Sequence, residues 1–129
     1  MENISISLAE SDPSGVSEIR IDGVIDTTTA VELEQVVESL VKRERFRMVF
    51  DLAGVDYISS AGWGIFISRI KDIRDHNGDI KLANMAPNVR EIYELLEFDK
   101  ILKAYDSVES ARAEFHDSTG SGAKKKVTR

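Results

Sequence analysis

The 129-residue chain contains no cysteine. That excludes disulfides and thiolate metal sites, and it fits a reducing compartment, the cytoplasm. No apolar run approaches the ~18 residues that a membrane-spanning helix needs, so no membrane partner is expected. The first residues, Met1-Glu2-Asn3-Ile4-Ser5, carry neither the basic nor the long apolar segment of a secretory signal. Histidine is scarce. His76 stands near a helix end and His116 close to the C-terminus, with no nucleophile motif around either, and both are expected on the solvated surface. There is no Gly-x-x-x-x-Gly-Lys loop, and the pair Gly62/Gly64 is too short to cradle phosphates by itself. These absences argue against an enzyme and against a bound cofactor or metal.

Charge is present in quantity but unevenly placed. The net charge is -6. Residues 116–129 hold four basic side chains (Lys124, Lys125, Lys126 and Arg129) against Asp117, a net of +3 that leaves -9 on residues 1–115. An acidic body is unsuited to nucleic acid, whose affinity for proteins comes largely from phosphate neutralisation by Lys and Arg. It suits solubility, or a basic protein partner drawn in by electrostatic steering. Residues 1–115 are expected to form a single domain. Residues 116–129, rich in Gly, Ser, Thr and Lys with little apolar content, are expected to form a disordered basic tail.

The stretch that organises the chain runs from Phe50 to Phe66. Arg47-Met48-Val49-Phe50 reads as a buried strand. Asp51 to Tyr57, with a glycine and two aspartates, reads as a loop. From Ala61 the apolar spacing turns helical: Trp63, Phe66, Ile67, Ile70 and Ile73 share one face. Ser59 and Ser60 therefore stand where the chain passes into a helix, beside unpaired backbone N–H groups and the positive end of the helix dipole. A serine there can cap the helix. It can also accept a phosphate, which that position accommodates electrostatically. One serine suffices for capping. The second is flanked by Ala61, Gly62 and Gly64, which leave its hydroxyl approachable.

The remaining elements follow in order. Asn3 to Leu8 and Val16 to Ile21 alternate as the two strands of an antiparallel hairpin, and Asp22-Gly23 is expected to end the second. Asp26-Thr27-Thr28-Thr29 supplies caps for a helix over Thr28 to Arg43. The second helix ends near Asn77-Gly78. A strand follows over Asp79 to Asn84, and Pro87 opens a third helix. Ile101-Leu102 is expected to form a short strand or turn, and a Ser107-capped helix runs to Phe115. Strands joined by helices imply an α/β domain, a mostly parallel sheet of four to five strands with an antiparallel edge.

The residues around the two serines carry a family resemblance. Asp51-Leu52 followed by Val55-Asp56-Tyr57-Ile58-Ser59-Ser60-Ala61-Gly62-Trp63-Gly64 resembles the signature of the STAS domain family of bacterial anti-sigma factor antagonists. Gly23-Val24-Ile25-Asp26 with Thr29-Ala30 resembles that family's segment before its first helix. The likeness runs from about residue 4 to about residue 113. It implies the STAS arrangement, with about four helices mainly on one side of the sheet. It also implies a phosphorylation-controlled switch. The unphosphorylated protein binds an anti-sigma factor that is also a serine kinase and frees the sigma factor; the kinase, which binds the ATP, phosphorylates the antagonist; a serine phosphatase resets it. The phosphorylated position corresponds to Ser60, with Ser59 the alternative, since many members carry Asp where this chain has Ser59. Trp63 stands where leucine is more usual. Asp26, Ser59, Ser60, Ala61, Gly62, Trp63, Ile65, Ser68 and Arg69 make up the expected partner surface. Helical geometry puts Ile65 with Ala61 and Ser68 away from the core stripe, and leaves Trp63 either in the core or as a surface anchor.

Two rival readings stay open at this level. Asp22, Asp26, Asp51 and Asp56 fall at or just beyond the expected strand ends. They could be turn residues, or a carboxylate cluster holding Mg²⁺ around Asp51 as acceptor, as in a phospho-aspartate receiver-like domain. A plain STAS adaptor, in which Ser60 only caps, is the other.

Overall fold

The structure, a computed structural model, describes residues 4–9 and 15–120, with side chains as far as 115. Strands β1 (Ile4–Ala9), β2 (Val16–Ile25), β3 (Arg47–Ile58), β4 (Asp79–Ala83) and β5 (Lys103–Tyr105) form one sheet in sequence order. The pair β1/β2 is antiparallel and every other pair is parallel. Each parallel step is bridged by a helix: α1 (Ala30–Lys42), α2 (Ser60–Asp75), then α3 (Pro87–Leu95) with a 3-10 turn at Phe98–Lys100. Helix α4 (Val108–Gly120) closes the described chain. The five-stranded mixed sheet and four helices are those expected.

Alternation along the strands decides which helix goes where. Met48, Phe50 and Leu52 of β3 point to one face with Ile19 and Ile21 of β2. Leu33, Val37 and Leu40 of α1, Phe66, Ile70 and Ile73 of α2, and Val89 and Tyr93 of α3 cover that face. Val49 points to the other face, where Val108, Ala111 and Phe115 of α4 pack on Val16 and Ala83. Three helices thus share one side and one takes the other.

Three boundaries differ from the sequence reading. Asp22-Gly23 does not end β2, and Asp51 to Tyr57 is not a loop: both stretches are strand, paired with each other from Arg20↔Asp51 to Ile25↔Ile58. The pairing survives its turn-forming residues through two register shifts, after Arg20 and after Gly23. Gly54 is what allows the second strand to come so close: a Cβ there would lie 1.8 Å from Asp22 Oδ1. Of the short strand or turn expected at Ile101-Leu102, the turn is what forms, with Leu102 buried in the core and the Ile101 carbonyl accepting from Arg74 at 2.6 Å, and β5 follows it. The backbone of α4 continues to Gly120, past the expected domain boundary at residue 115. The rest of the tail, 121–129, lies outside the described residues. Ser107 caps α4 as expected, its Oγ accepting from Ser110 N at 3.0 Å.

Candidate functional site

The parallel pair β2/β3 runs out at Ile25 and Ile58, and the chain there turns into two helices. Ser59 holds the ends together: its N–H donates to the Ile25 carbonyl at 2.8 Å. Its backbone is extended (φ -78°, ψ 172°) and its Oγ accepts from Gly62 N at 3.3 Å, so Ser59 is the N-cap of α2. Ser60 is the first helical residue and is exposed. Among the described residues no side chain or carbonyl engages its hydroxyl. Of the two serines it is therefore Ser59 that takes the capping role, and Ser60 has no part in the cap.

Gly62 and Trp63 lie beneath this surface rather than on it. A Cβ at Gly62 would stand 2.6 Å from Ile25 Cγ2 and 2.8 Å from Ile58 Cγ2, so only glycine lets the first turn of α2 settle on the strand ends. Trp63 is 2% exposed and packs against the rings of Phe66, Tyr93 and Phe98. Of the two roles open to it, Trp63 takes the core one. These two expected partner residues are corrected to supports that fix where Ser60 sits.

Asp26 follows directly on Ile25 and so stands beside Ser59. Its Oδ1 accepts from Thr28 N (2.9 Å) and Thr29 N (3.0 Å), while its own N–H donates to Thr29 Oγ1 (2.8 Å). Thr29 Oγ1 in turn donates to the Val24 carbonyl at 2.6 Å. This reciprocal arrangement resembles a capping box and fixes the turn before α1. The Thr29 N–H, foremost among the donors to its carboxylate, holds the Asp26 pKa below the usual carboxylate range; partial desolvation opposes the shift. A carboxyl with a depressed native pKa contributes stability that is fully present above its unfolded pKa and is lost as pH falls through the folded one. Thermal melts from pH 7 down to pH 2 are therefore expected to fall more steeply below about pH 4 in the wild type than in Asp26→Asn, which has no carboxyl to titrate. Parallel acid slopes would contradict this.

Along α2, Ser68 is exposed, with its hydroxyl donating to the Ile65 carbonyl at 3.2 Å. Ala61 and Ile65 are half-buried, and both pack on the edge of the core rather than standing clear of it. The Arg69 guanidinium crosses to α1, where it pairs with Glu38 and, at 3.1 Å, with Glu34. Glu38 above all, then Glu34, raises its pKa, while partial desolvation opposes them. Arg69 ties α1 to α2 and borders the surface. The face around Ser60 thus consists of Asp26, Ser60, Ala61, Ile65 and Ser68.

The four aspartates do not assemble. Asp22, Asp51 and Asp56 lie within strands, and Asp26 lies in the turn before α1. Asp51 is 8% exposed and accepts from Ala53 N and from Asn84 Nδ2, each at 3.1 Å, with Arg20 at 3.7 Å. Asp22 takes the same arginine at 3.0 Å. Asp56 is exposed, and its carbonyl accepts from Asn88 Nδ2 at 2.7 Å. Among the described residues no group of three or more His, Cys, Asp or Glu side chains is placed to hold a metal ion. Asn84 and Asn88 had no role in the sequence reading. Isolated asparagines carry no signal, whereas Asp26-x-x-Thr29 has the spacing of a reciprocal cap and could have been paired in advance.

This sheet order, with a serine-bearing helix start at the end of the central parallel pair, defines a STAS domain. The STAS domain profile matches residues 10–111, and the chain belongs to that family. Within it, the relatives are anti-sigma factor antagonists. The chain is 35% identical over 95 residues to BtrV of Bordetella bronchiseptica, a candidate anti-sigma factor antagonist, covering 74% of this chain and 82% of that protein. It is 27% identical over 101 residues to the anti-sigma-B factor antagonist of Listeria monocytogenes, covering 78% and 88% of the two chains. The crystal structure of an anti-sigma factor antagonist from Mycobacterium paratuberculosis superposes with a TM-score of 0.80 at 26% identity, over 89% of this chain and 96% of that one. The family is a class of regulators rather than catalysts. Among the described residues no helix is long and apolar enough to cross a membrane.

Proposed function

We propose that this protein is an anti-sigma factor antagonist whose binding is switched by phosphorylation of Ser60. In this reading the unphosphorylated form binds an anti-sigma factor with serine kinase activity through Asp26, Ser60, Ala61, Ile65 and Ser68, and so releases the sigma factor. The kinase brings its own ATP and phosphorylates Ser60, and a serine phosphatase reverses the modification. The observation that carries the reading is the division between the serines. Ser59 Oγ is committed to the Gly62 N–H, while the Ser60 hydroxyl is exposed and unengaged among the described residues. Phosphorylation at the first helical position adds about -1.5 to -2 charge where the helix dipole favours it, so the antagonist itself stays folded. The same charge, set in a surface that a partner must cover, has to be desolvated beside the Asp26 carboxylate, and affinity falls.

The test is intact mass after incubation with the anti-sigma factor serine kinase of the same bacterium and MgATP. The wild type and Ser59→Ala are expected to gain one phosphate and Ser60→Ala none. Ser59→Ala is also expected to lose about 1 kcal/mol of stability as its cap is removed, while Ser60→Ala melts close to the wild type. Phosphate on Ser60→Ala but not on Ser59→Ala would overturn the assignment. A hydroxylamine-labile phosphate would point to an aspartate, and no incorporation to a plain adaptor.

A further inference from the structure

Strand β1 is an edge of the sheet: β2 pairs with it on one side and, among the described residues, no strand lies on the other. Natural edge strands are usually blunted by lysine, proline or a bulge, because their free N–H and C=O groups template pairing with another strand. Here Ile4-Ser5-Ile6-Ser7-Leu8-Ala9 has no charge and no proline, and its register against β2 is unbroken from Ile4↔Gly23 to Ala9↔Glu18. Leu8 is 42% exposed. Between this strand and α1 lies an open groove lined by Ile6, Leu8, Glu32, Gln35, Val36 and Ser39.

We propose that the β1 edge pairs with the β1 edge of a second copy of this chain, antiparallel across a two-fold axis, joining two five-stranded sheets into one. The strand's own alternation names the occupant. Facing residues of an antiparallel pair point to the same side of the sheet, so a two-fold perpendicular to it must pass through a residue rather than between two. Centred on Ile6, the pairing sets Ile4 against the other copy's Leu8, Ile6 against Ile6 and Ser5 against Ser7. All three apolar residues are matched on the groove side, and the serines meet on the other. Centred one residue later, only Ile6 and Leu8 would match. The same axis sets the two α1 helices side by side and antiparallel. The acidic start of one, with Glu32 on the groove side, then lies toward the basic end of the other, with Lys42 and Arg43. A basic or acidic partner strand would gain nothing from an uncharged edge, whereas an identical strand completes it.

Light scattering on the full chain across a concentration series is expected to show a monomer passing to a dimer, and Leu8→Lys, at an exposed position, is expected to remain monomeric with an unchanged circular dichroism spectrum. The chain has no cysteine, so in Ile6→Cys the introduced thiol is the only one. Its two-fold mate would lie about 4.5–5.5 Å away between Cα atoms, within disulfide reach, and oxidation at the dimer-forming concentration is expected to give a covalent dimer. A wild type that stays monomeric throughout, a dimer indifferent to Leu8→Lys, or failure of Ile6→Cys to cross-link would each overturn the proposal. Phosphorylation of Ser60 stands or falls separately, since none of these measurements touches α2.

Discussion

Trp63→Ala is expected to cost about 3–5 kcal/mol of stability, the range for removing a large buried ring from a core that cannot close over the space. The ring touches α2, α3 and the 3-10 turn together through Phe66, Tyr93 and Phe98, so its loss unfastens three elements at once. Its indole N–H has no hydrogen-bond partner among the described residues. An unpaired buried donor is itself destabilising by about 1–3 kcal/mol. Trp63→Phe, which deletes that donor and keeps an aromatic ring, is therefore expected to lose less than about 1.5 kcal/mol. Denaturant melts of the three proteins check the ordering. Equal losses for Ala and Phe would show that the indole's volume, rather than aromatic packing, is what the core requires.

Asp79→Ala is expected to destabilise by about 3 kcal/mol or more, because it strands a buried cation. Lys81 is 4% exposed, and its ammonium lies 3.2 Å from Asp79 Oδ2, 4.6 Å from the Phe115 ring centre and 5.6 Å from that of Tyr105. Asp79 also accepts from Arg74 Nε at 3.0 Å and from Ile80 N at 2.9 Å, so the substitution removes the anchor of three donors. Lys81→Met, which removes the cation itself and keeps a flexible apolar stem between the two rings, is expected to cost far less. A hydrophobic replacement for a buried charge often comes out near neutral. If Lys81→Met proves as damaging as Asp79→Ala, the ammonium's place over the two rings holds α4 down and is not merely tolerated there.

How much of this was legible in the sequence depends on whether local chemistry agreed with tertiary pairing. The helix faces were readable because Leu33, Val37 and Leu40 on α1, and Phe66, Ile70 and Ile73 on α2, keep the helical period and meet one core. The two serines were readable as a helix start, but not which of them caps, since that rests on one backbone angle at Ser59 and the reach of its Oγ to Gly62. The hidden part was the far half of β2 and β3. Asp22, Gly23, Asp51 and Gly54 are turn residues by preference, and here they sit in paired strands. Arg20 and Asn84 satisfy the carboxylates, and the missing side chain at Gly54 makes room for Asp22. None of those partners is near in sequence to the residue it rescues, except Arg20 to Asp22. Angle alone puts Ile65 on an outer face. Helical angles fix direction, but they do not say how high the neighbouring core rises, and Ile65 ends half-buried.

The burial of Trp63 has an optical consequence. It is the chain's sole tryptophan and lies three residues after Ser60, in the same first turn of α2. Its emission belongs to one known place, an apolar pocket roofed by α3, with no second indole to average against. Any event that tilts the start of α2 or loosens α3 changes the surroundings of that fluorophore directly. The protein therefore carries an intrinsic, label-free gauge within one helical turn of the residue on which its regulation is proposed to turn. Stopped-flow fluorescence can follow partner docking and release in real time on the unmodified chain.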